Sequence, residues 1–206
     1  MVCSLVFCQC SSRRGPYDPQ LMHIDSLLNE ADVDTAKVLA AFGRVSKSLD
    51  TENRMYYNLL TQYYMFKTYQ PVENDSILRA VIEYYGDKPT KEGLLANYIA
   101  AGMYNDRNEF AKAQDCGLRF LRMSDRTSKF DKVMRAKCHL QLSDIYQNPL
   151  DLLMVLEQRR PAVYWAEQTT DTMLMADSYY YLSNMCEAVG DYKQSLSACD
   201  KAYEYY

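Results

Sequence analysis

Apolar residues recur with the period of an α-helix through the C-terminal part of the chain. Those before residue 190 are Tyr179, Leu182, Cys186 and Val189, and those after residue 191 are Leu196, Cys199, Ala202 and Tyr203. Glycine often ends a helix and aspartate often caps the next one, so Gly190-Asp191 marks a turn. The pattern therefore predicts two helices joined by a short turn over residues 171–206.

The same pairing recurs towards the N-terminus, where helix pairs are predicted near residues 17–50, 51–87, 90–125 and 128–170. Capping residues lie at several of the predicted starts, for example in Thr90-Lys-Glu and Asp50-Thr-Glu. In the last four pairs the first helix starts near residues 51, 91, 129 and 172. Strand-type alternation is nearly absent, so the pattern predicts an all-α protein of about ten helices.

The last pair resembles a tetratricopeptide repeat (TPR), a helix-turn-helix unit of about 34 residues with small and large apolar residues at fixed positions. Asn108-Glu-Phe110 matches the turn Gly190-Asp-Tyr192, with asparagine in place of glycine. The resemblance covers roughly residues 51–206 and is strongest in the last repeat. It implies a right-handed α-solenoid, in which stacked repeats bury the apolar faces that one repeat cannot bury alone.

In that family the first helices line a concave groove that binds an extended peptide or a partner helix. The positions that the resemblance places in this groove are Tyr57, Tyr64, Asn97, Tyr180, Tyr181, Asn184 and Glu187. The basic clamp with which some cytosolic members bind C-terminal carboxylates is not visible here, which disfavours chaperone-type recognition. The resemblance implies a non-enzymatic scaffold for protein–protein interaction.

The N-terminal residues carry a different pattern. A short apolar run at residues 4–7 precedes Cys8-Gln-Cys10 and two serines. This resembles the end of a bacterial lipoprotein signal peptide, although the basic leading region is missing and the apolar run is shorter than usual. We therefore expect residues 1–15 to be a signal remnant, with Cys8 or Cys10 as lipidation candidates. The expected location is the cell envelope, as a periplasmic or outer-membrane-anchored lipoprotein; a cytoplasmic protein is the alternative.

Residues 17–49 predict two further amphipathic helices. Asp25-Ser-Leu-Leu28 and the short acidic turn after it resemble the start of TPR sensor proteins of Bacteroidetes. In those proteins an envelope-exposed repeat array often precedes a membrane helix and a regulatory module. The resemblance thus implies a second function, as the sensory or structural N-terminal part of a larger membrane-linked transcriptional regulator.

The composition argues against several other classes. Hydrophobic residues make up 48% of the chain, with seven Gly and six Pro, which favours a packed helical protein over disorder. The pI of about 5.3 and the lack of a binding motif disfavour nucleic acid. There are only two His residues, no Cys-x-x-Cys, no Gly-rich phosphate loop and no nucleophile elbow. We therefore expect no metal, no cofactor and no catalysis.

Charge and cysteine positions suggest two further features. Residues 107–137 are basic and residues 171–206 are acidic, an asymmetry that either steers a partner or reflects ordinary solvated helix faces. Cys186 and Cys199 are expected to pack as small apolar residues on facing helices, where an oxidising envelope would permit a disulfide.

The apolar stripe of the last predicted helix runs to Tyr205-Tyr206. Repeat arrays normally close with an element that has a polar outer face. We therefore expect the chain to be a fragment of a longer array, or to form a homo-oligomer through its C-terminal helix.

Overall fold

The computed structural model describes residues 17–30, 32–71, 74–128, 130–147 and 150–206. Within these residues the regular secondary structure is helical throughout, which confirms the predicted all-α class. The helices are α1 (Pro19–Leu28), α2 (Thr35–Phe42), α3 (Thr51–Lys67), α4 (Ser76–Tyr85), α5 (Lys91–Asp106), α6 (Phe110–Ser124), α7 (Lys132–Gln147), α8 (Leu152–Ala166), α9 (Thr172–Ala188) and α10 (Tyr192–Tyr205).

Two predictions concern residues outside the described part of the chain. The lipidation candidates Cys8 and Cys10, and the signal remnant at residues 1–15, lie in the segment 1–16. Lipidation and a cell-envelope location therefore stay predictions. None of the helices in the described ranges is both long enough and apolar enough to cross a membrane.

Contacts divide the chain into two compact units, Met1–Tyr57 and Asn58–Tyr206, with the boundary inside α3. In the N-terminal unit α1 packs on α2, and Leu21, Ile24 and Leu28 are fully buried. The backbone N–H of Asp18 donates to Asn53 Oδ1 at 2.8 Å, which ties the start of α1 to the start of α3.

In the C-terminal unit consecutive helices pack on each other from α4 to α10, and α5 also packs on α7. The first helices α3, α5, α7 and α9 start at Thr51, Lys91, Lys132 and Thr172, so successive starts are 40, 41 and 40 residues apart. The sequence places three of these starts correctly and places α7 three residues too early. The near-constant interval means that helix pairs of similar length follow each other along this unit.

Helix starts and turns follow local capping chemistry. The side chains of Asp171 and Asp191 accept hydrogen bonds from the backbone N–H groups of Leu174 and Gln194, so each caps its helix as expected. Gly190 has a φ of 82°, in the left-handed region that favours glycine. Asn108, at the corresponding turn before α6, has a φ of 59°, a conformation that asparagine adopts more readily than most residues.

Helix α5 is the centre of the C-terminal unit, and all its residues from Gly93 to Tyr104 are buried. Gly102 allows close packing, because a Cβ atom there would overlap the Phe66 ring of α3 and would meet Gln141 of α7 at 3.0 Å. A helix buried around its whole circumference needs neighbours on every side. Here those neighbours are α3, α4, α6 and α7.

The last helix pair differs from the prediction in one respect. Helix α10 packs on α9 through Ala198 and Ala202, whereas Leu196, Cys199 and Tyr203 are exposed. The small alanine side chains let the two helices approach closely, and the larger residues then point away. The core position expected for Cys199 is therefore wrong. Cys186 is buried, and both thiols are free.

Candidate partner-binding surface

Four of the seven residues expected in a groove lie together on one exposed face of α9. Tyr180 and Tyr181 are 49% and 41% exposed, and Asn184 and Glu187 are exposed as well. Residues three and four positions apart are neighbours on a helix surface, so these side chains form one strip. The opposite face of α9 is buried and includes Leu174, Leu182 and Cys186.

Two residues that the sequence analysis did not select extend this strip. The Tyr206 hydroxyl donates to Asp177 Oδ1 at 2.9 Å, and this hydrogen bond raises the pKa of Tyr206. The rings of Tyr180 and Tyr181 meet edge to face, with their centroids 5.6 Å apart. We call the six residues Asp177, Tyr180, Tyr181, Asn184, Glu187 and Tyr206 the α9 surface.

Arg159 of α8 holds the α9 surface from behind. Its side chain is 5% exposed, and Nη1 donates to the backbone carbonyl of Tyr181. The guanidinium carbon lies 5.5 Å from the centroid of the Tyr181 ring, within cation–π range. Towards α7, Nε lies 3.5 Å from Ser143 Oγ, and Asp144 interacts electrostatically with the guanidinium. Arg159 therefore fixes Tyr181 relative to both α7 and α8.

The other three predicted residues lie elsewhere. Asn97 is fully buried in α5, where Nδ2 donates to the carbonyl of Gly93 at 2.8 Å. Tyr64 of α3 is also buried. Tyr57 is half-buried in the N-terminal unit, with its ring 5.4 Å from that of Phe42. Because the helices around α5 enclose Asn97, this side chain is not available to a partner in this structure.

Helix α7 begins 40 residues before α9, and both helices contribute to one buried cluster. Ala136 of α7, Ala166 of α8, and Leu174 and Met175 of α9 form one buried cluster, which joins the two first helices. The α7 positions equivalent to Asp177, Tyr181 and Asn184 are Lys137, Gln141 and Asp144. Lys137 and Asp144 are exposed, so polar side chains accessible to a partner are present on both helices.

A cavity of about 560 Å³ lies elsewhere, between α4, α5 and α6. Both arginines that line it form ion pairs: Arg79 with Asp75 at 3.2 Å, and Arg119 with Asp115 at 2.5 Å. Cys116 lines the cavity, and burial raises the pKa of its thiol to about 11. A thiol with this pKa is a poor nucleophile at neutral pH.

No group of three His, Cys, Asp or Glu side chains that could hold a metal ion occurs among the described residues. His139 of α7 is buried, with Nδ1 2.9 Å from Gln158 Oε1. This histidine is held in the interface between α7 and α8.

His139 makes the stability of the protein sensitive to acid. Burial, opposed by the hydrogen bond to Gln158, lowers its pKa below the usual 6.5, and Arg135 lowers it further. Below about pH 6.5 the unfolded chain therefore binds this proton more readily than the folded chain, so the free energy of unfolding falls on acidification.

We expect His139→Gln to flatten this pH dependence, measured as the urea-denaturation free energy at pH values on both sides of 6.5. His23→Gln is the matched control, because His23 is exposed, and it should keep the slope of the unmodified protein. If the free energy of unfolding changed equally with pH in all three proteins, His139 would not be the source of the acid sensitivity.

Comparison with known proteins gives no family for this chain: neither a protein-family model nor a curated protein matches its sequence. The functional argument therefore rests on the residues of the α9 surface and on the helix pairs that position them.

Proposed function

We propose that the chain is a non-enzymatic protein-interaction module of TPR type, which binds a peptide or a partner helix on its first helices. Two features support this arrangement. Helix pairs follow each other at intervals of 40 or 41 residues, and the turns at Asn108 and Gly190 share a left-handed backbone. In a right-handed α-solenoid built this way, the exposed faces of α7 and α9 belong to one binding surface.

The observation that carries the proposal is the α9 surface. Tyrosine offers a large rigid contact area together with a hydroxyl, and for this reason it is enriched among the residues that dominate binding energy. Three tyrosines, Tyr180, Tyr181 and Tyr206, lie here beside an exposed amide, that of Asn184. Arg159 holds one of them in place, which lowers the entropy lost when a partner binds.

The charge of the surface indicates the chemistry of the partner. Asp177 and Glu187 lie on it, and the pair α9–α10 and its flanks carry six acidic residues against two lysines. Complementary charge raises association rates and selects partners more than it raises affinity. We therefore expect the bound segment to combine basic residues with apolar ones.

The test selects peptides from a random phage-displayed library on the purified full chain and measures their binding by fluorescence polarisation. Enriched peptides should carry Lys or Arg next to apolar residues. Tyr180→Ala combined with Tyr181→Ala should weaken binding by at least about tenfold, since each tyrosine anchor contributes about 1 kcal/mol or more.

The matched control is Tyr164→Ala, which removes an exposed tyrosine from α8, outside the α9 surface. It should leave peptide affinity unchanged, and circular dichroism should show that every variant is as helical as the unmodified chain. The proposal fails if no peptide is enriched, or if the double substitution binds the selected peptides as well as the unmodified chain does.

A further inference from the structure

The outer face of α10 carries a continuous apolar stripe. Its residues are Tyr192, Leu196, Cys199 and Tyr203, which we call the α10 stripe. They are spaced by four, three and four positions, the spacing of a coiled-coil seam. All four are exposed, with Leu196 at 66% and Tyr203 at 85%.

The α10 stripe is separate from the contact that holds α10 in the fold. Helix α10 packs on α9 with Ala198 and Ala202, which lie on a different face of the helix from Leu196 and Tyr203. Single exposed apolar residues are ordinary, but four in one line on a helix are typical of an interaction site. No residue of the α10 stripe belongs to the α9 surface.

Two charged residues flank the stripe on the same side. Lys193 and Asp200 are seven positions apart, so they lie one above the other along one edge of the stripe. Both are exposed, and neither forms an ion pair with another residue of the described chain. The opposite edge has Ser195 and no charge.

This one-sided charge pattern complements itself. When two identical helices pack antiparallel about a two-fold axis, each edge lies opposite the same edge of the other copy. Lys193 of each copy then faces Asp200 of the other, which gives two ion pairs. In a parallel pair the charged edge would instead face the edge with Ser195, and no ion pair would form.

We infer that the α10 stripe binds the α10 stripe of a second copy of this chain, as an antiparallel symmetric dimer. In that register Tyr192 faces Tyr203 of the second copy, and Leu196 faces Cys199, because both pairs share the same midpoint between residues 197 and 198. The midpoint of Lys193 and Asp200 lies one residue away, so Lys193 and Asp200 of the other copy are offset by two residues, about 3 Å along the axis, which a lysine side chain easily spans.

The size of the contact sets the expected affinity. A helix of 14 residues is about 21 Å long, so a contact of one helix with another is smaller than the 1,200–2,000 Å² typical of stable complexes. The dimer is therefore weak and dissociates in the micromolar range, and it forms as the protein concentration rises.

The first test is sedimentation equilibrium of the full chain across the micromolar range. Leu196→Asp should weaken dimerisation by at least tenfold, since it places a charge in the seam. Leu153→Asp is the matched control, because Leu153 is 71% exposed on α8, away from the stripe, and should dimerise like the unmodified chain. A chain that stays monomeric at the highest soluble concentration, or equal effects of the two substitutions, would overturn the inference.

The second test uses charge reversal, which also fixes the orientation. Lys193→Asp alone and Asp200→Lys alone should each weaken the dimer several-fold, because like charges then face each other twice. The combined variant restores both ion pairs in reversed polarity and should dimerise like the unmodified chain. A combined variant as weak as the single ones would rule out the antiparallel register.

The third test uses Cys199, which is exposed next to the midpoint of the stripe. With Cys3, Cys8 and Cys10 replaced by serine, a short bis-maleimide should link two chains through Cys199. Adding Leu196→Asp should abolish this product. A linked product that survives Leu196→Asp would show that copies meet through another surface and would also overturn the inference.

Discussion

Arg159→Ala is expected to lower the free energy of unfolding by about 3 kcal/mol, measured by urea denaturation followed by circular dichroism. The substitution removes a charge-assisted hydrogen bond to the carbonyl of Tyr181 and the contact with its ring. A hydrogen bond to a charged group is worth about 1.5–3 kcal/mol, and the cavity left by the buried side chain adds to this loss.

Arg160→Ala is the control for this loss. Arg160 is the next residue of α8, and it is exposed, with one hydrogen bond from Nη2 to Gln194 Oε1 at 3.1 Å. Removal of the Arg160 side chain should lower the free energy of unfolding by less than about 1 kcal/mol. The free energy of unfolding of Arg159→Lys should lie between those of the two alanine variants, because a lysine keeps the charge but cannot reproduce the planar guanidinium. A loss below about 1 kcal/mol for Arg159→Ala would show that Tyr181 is fixed by other contacts.

Gly93→Ala is the second substitution for which we expect a large effect. It should lower the free energy of unfolding by about 3 kcal/mol. A Cβ atom at Gly93 would overlap the backbone carbonyl oxygen of Lys88, in the connection between α4 and α5. It would also lie 3.0 Å from the terminal methyl group of Met123. A backbone oxygen cannot rotate away as a side chain can, so the connection and α5 must move apart.

Gly190→Ala separates this steric cost from the cost of backbone strain. Gly190 has a φ of 82°, but a Cβ atom there would have no neighbour within 4 Å. Gly190→Ala should lower the free energy of unfolding by about 1–2 kcal/mol, because of the left-handed conformation alone. Thermal and urea denaturation of both variants give the comparison. If Gly93→Ala lowers the free energy of unfolding by no more than Gly190→Ala does, the connection before α5 adjusts freely to the added Cβ atom.

The sequence predicts the helices well because their ends depend on local chemistry. Asp171 and Asp191 cap helices with their own side chains, and Gly190 supplies the turn between α9 and α10. These interactions span two to four residues, so they can be read from short segments. The predicted start of α7 is three residues too early, because the run from Ser128 to Asp131 offers more than one capping residue.

The candidate site is harder to predict because it depends on which helix faces pack against each other. The period of apolar residues along α10 identifies an apolar stripe, but it does not show what that stripe packs against. In the structure Ala202, and not Tyr203, makes the contact with α9. Asn97 is enclosed by the helices around α5, and its Nδ2 lies 3.6 Å from Met123 Sδ, which is 26 residues away in the sequence. Arg159 contacts Tyr181 from behind the α9 surface over 22 residues, and Tyr206 joins this surface through a hydrogen bond over 29 residues. No local pattern reports such contacts.

The burial of α5 has an evolutionary consequence. Its twelve consecutive residues from Gly93 to Tyr104 have no solvent-facing position, so a charge is costly anywhere along this segment. Helices such as α9 and α10 keep open faces on which substitutions change binding without loss of the fold. Divergence among natural variants should therefore concentrate at the C-terminal end, while α5 changes slowly. Distant relatives should be recognised first by the compact segment Gly93–Tyr104, and only later by the surfaces that define their partners.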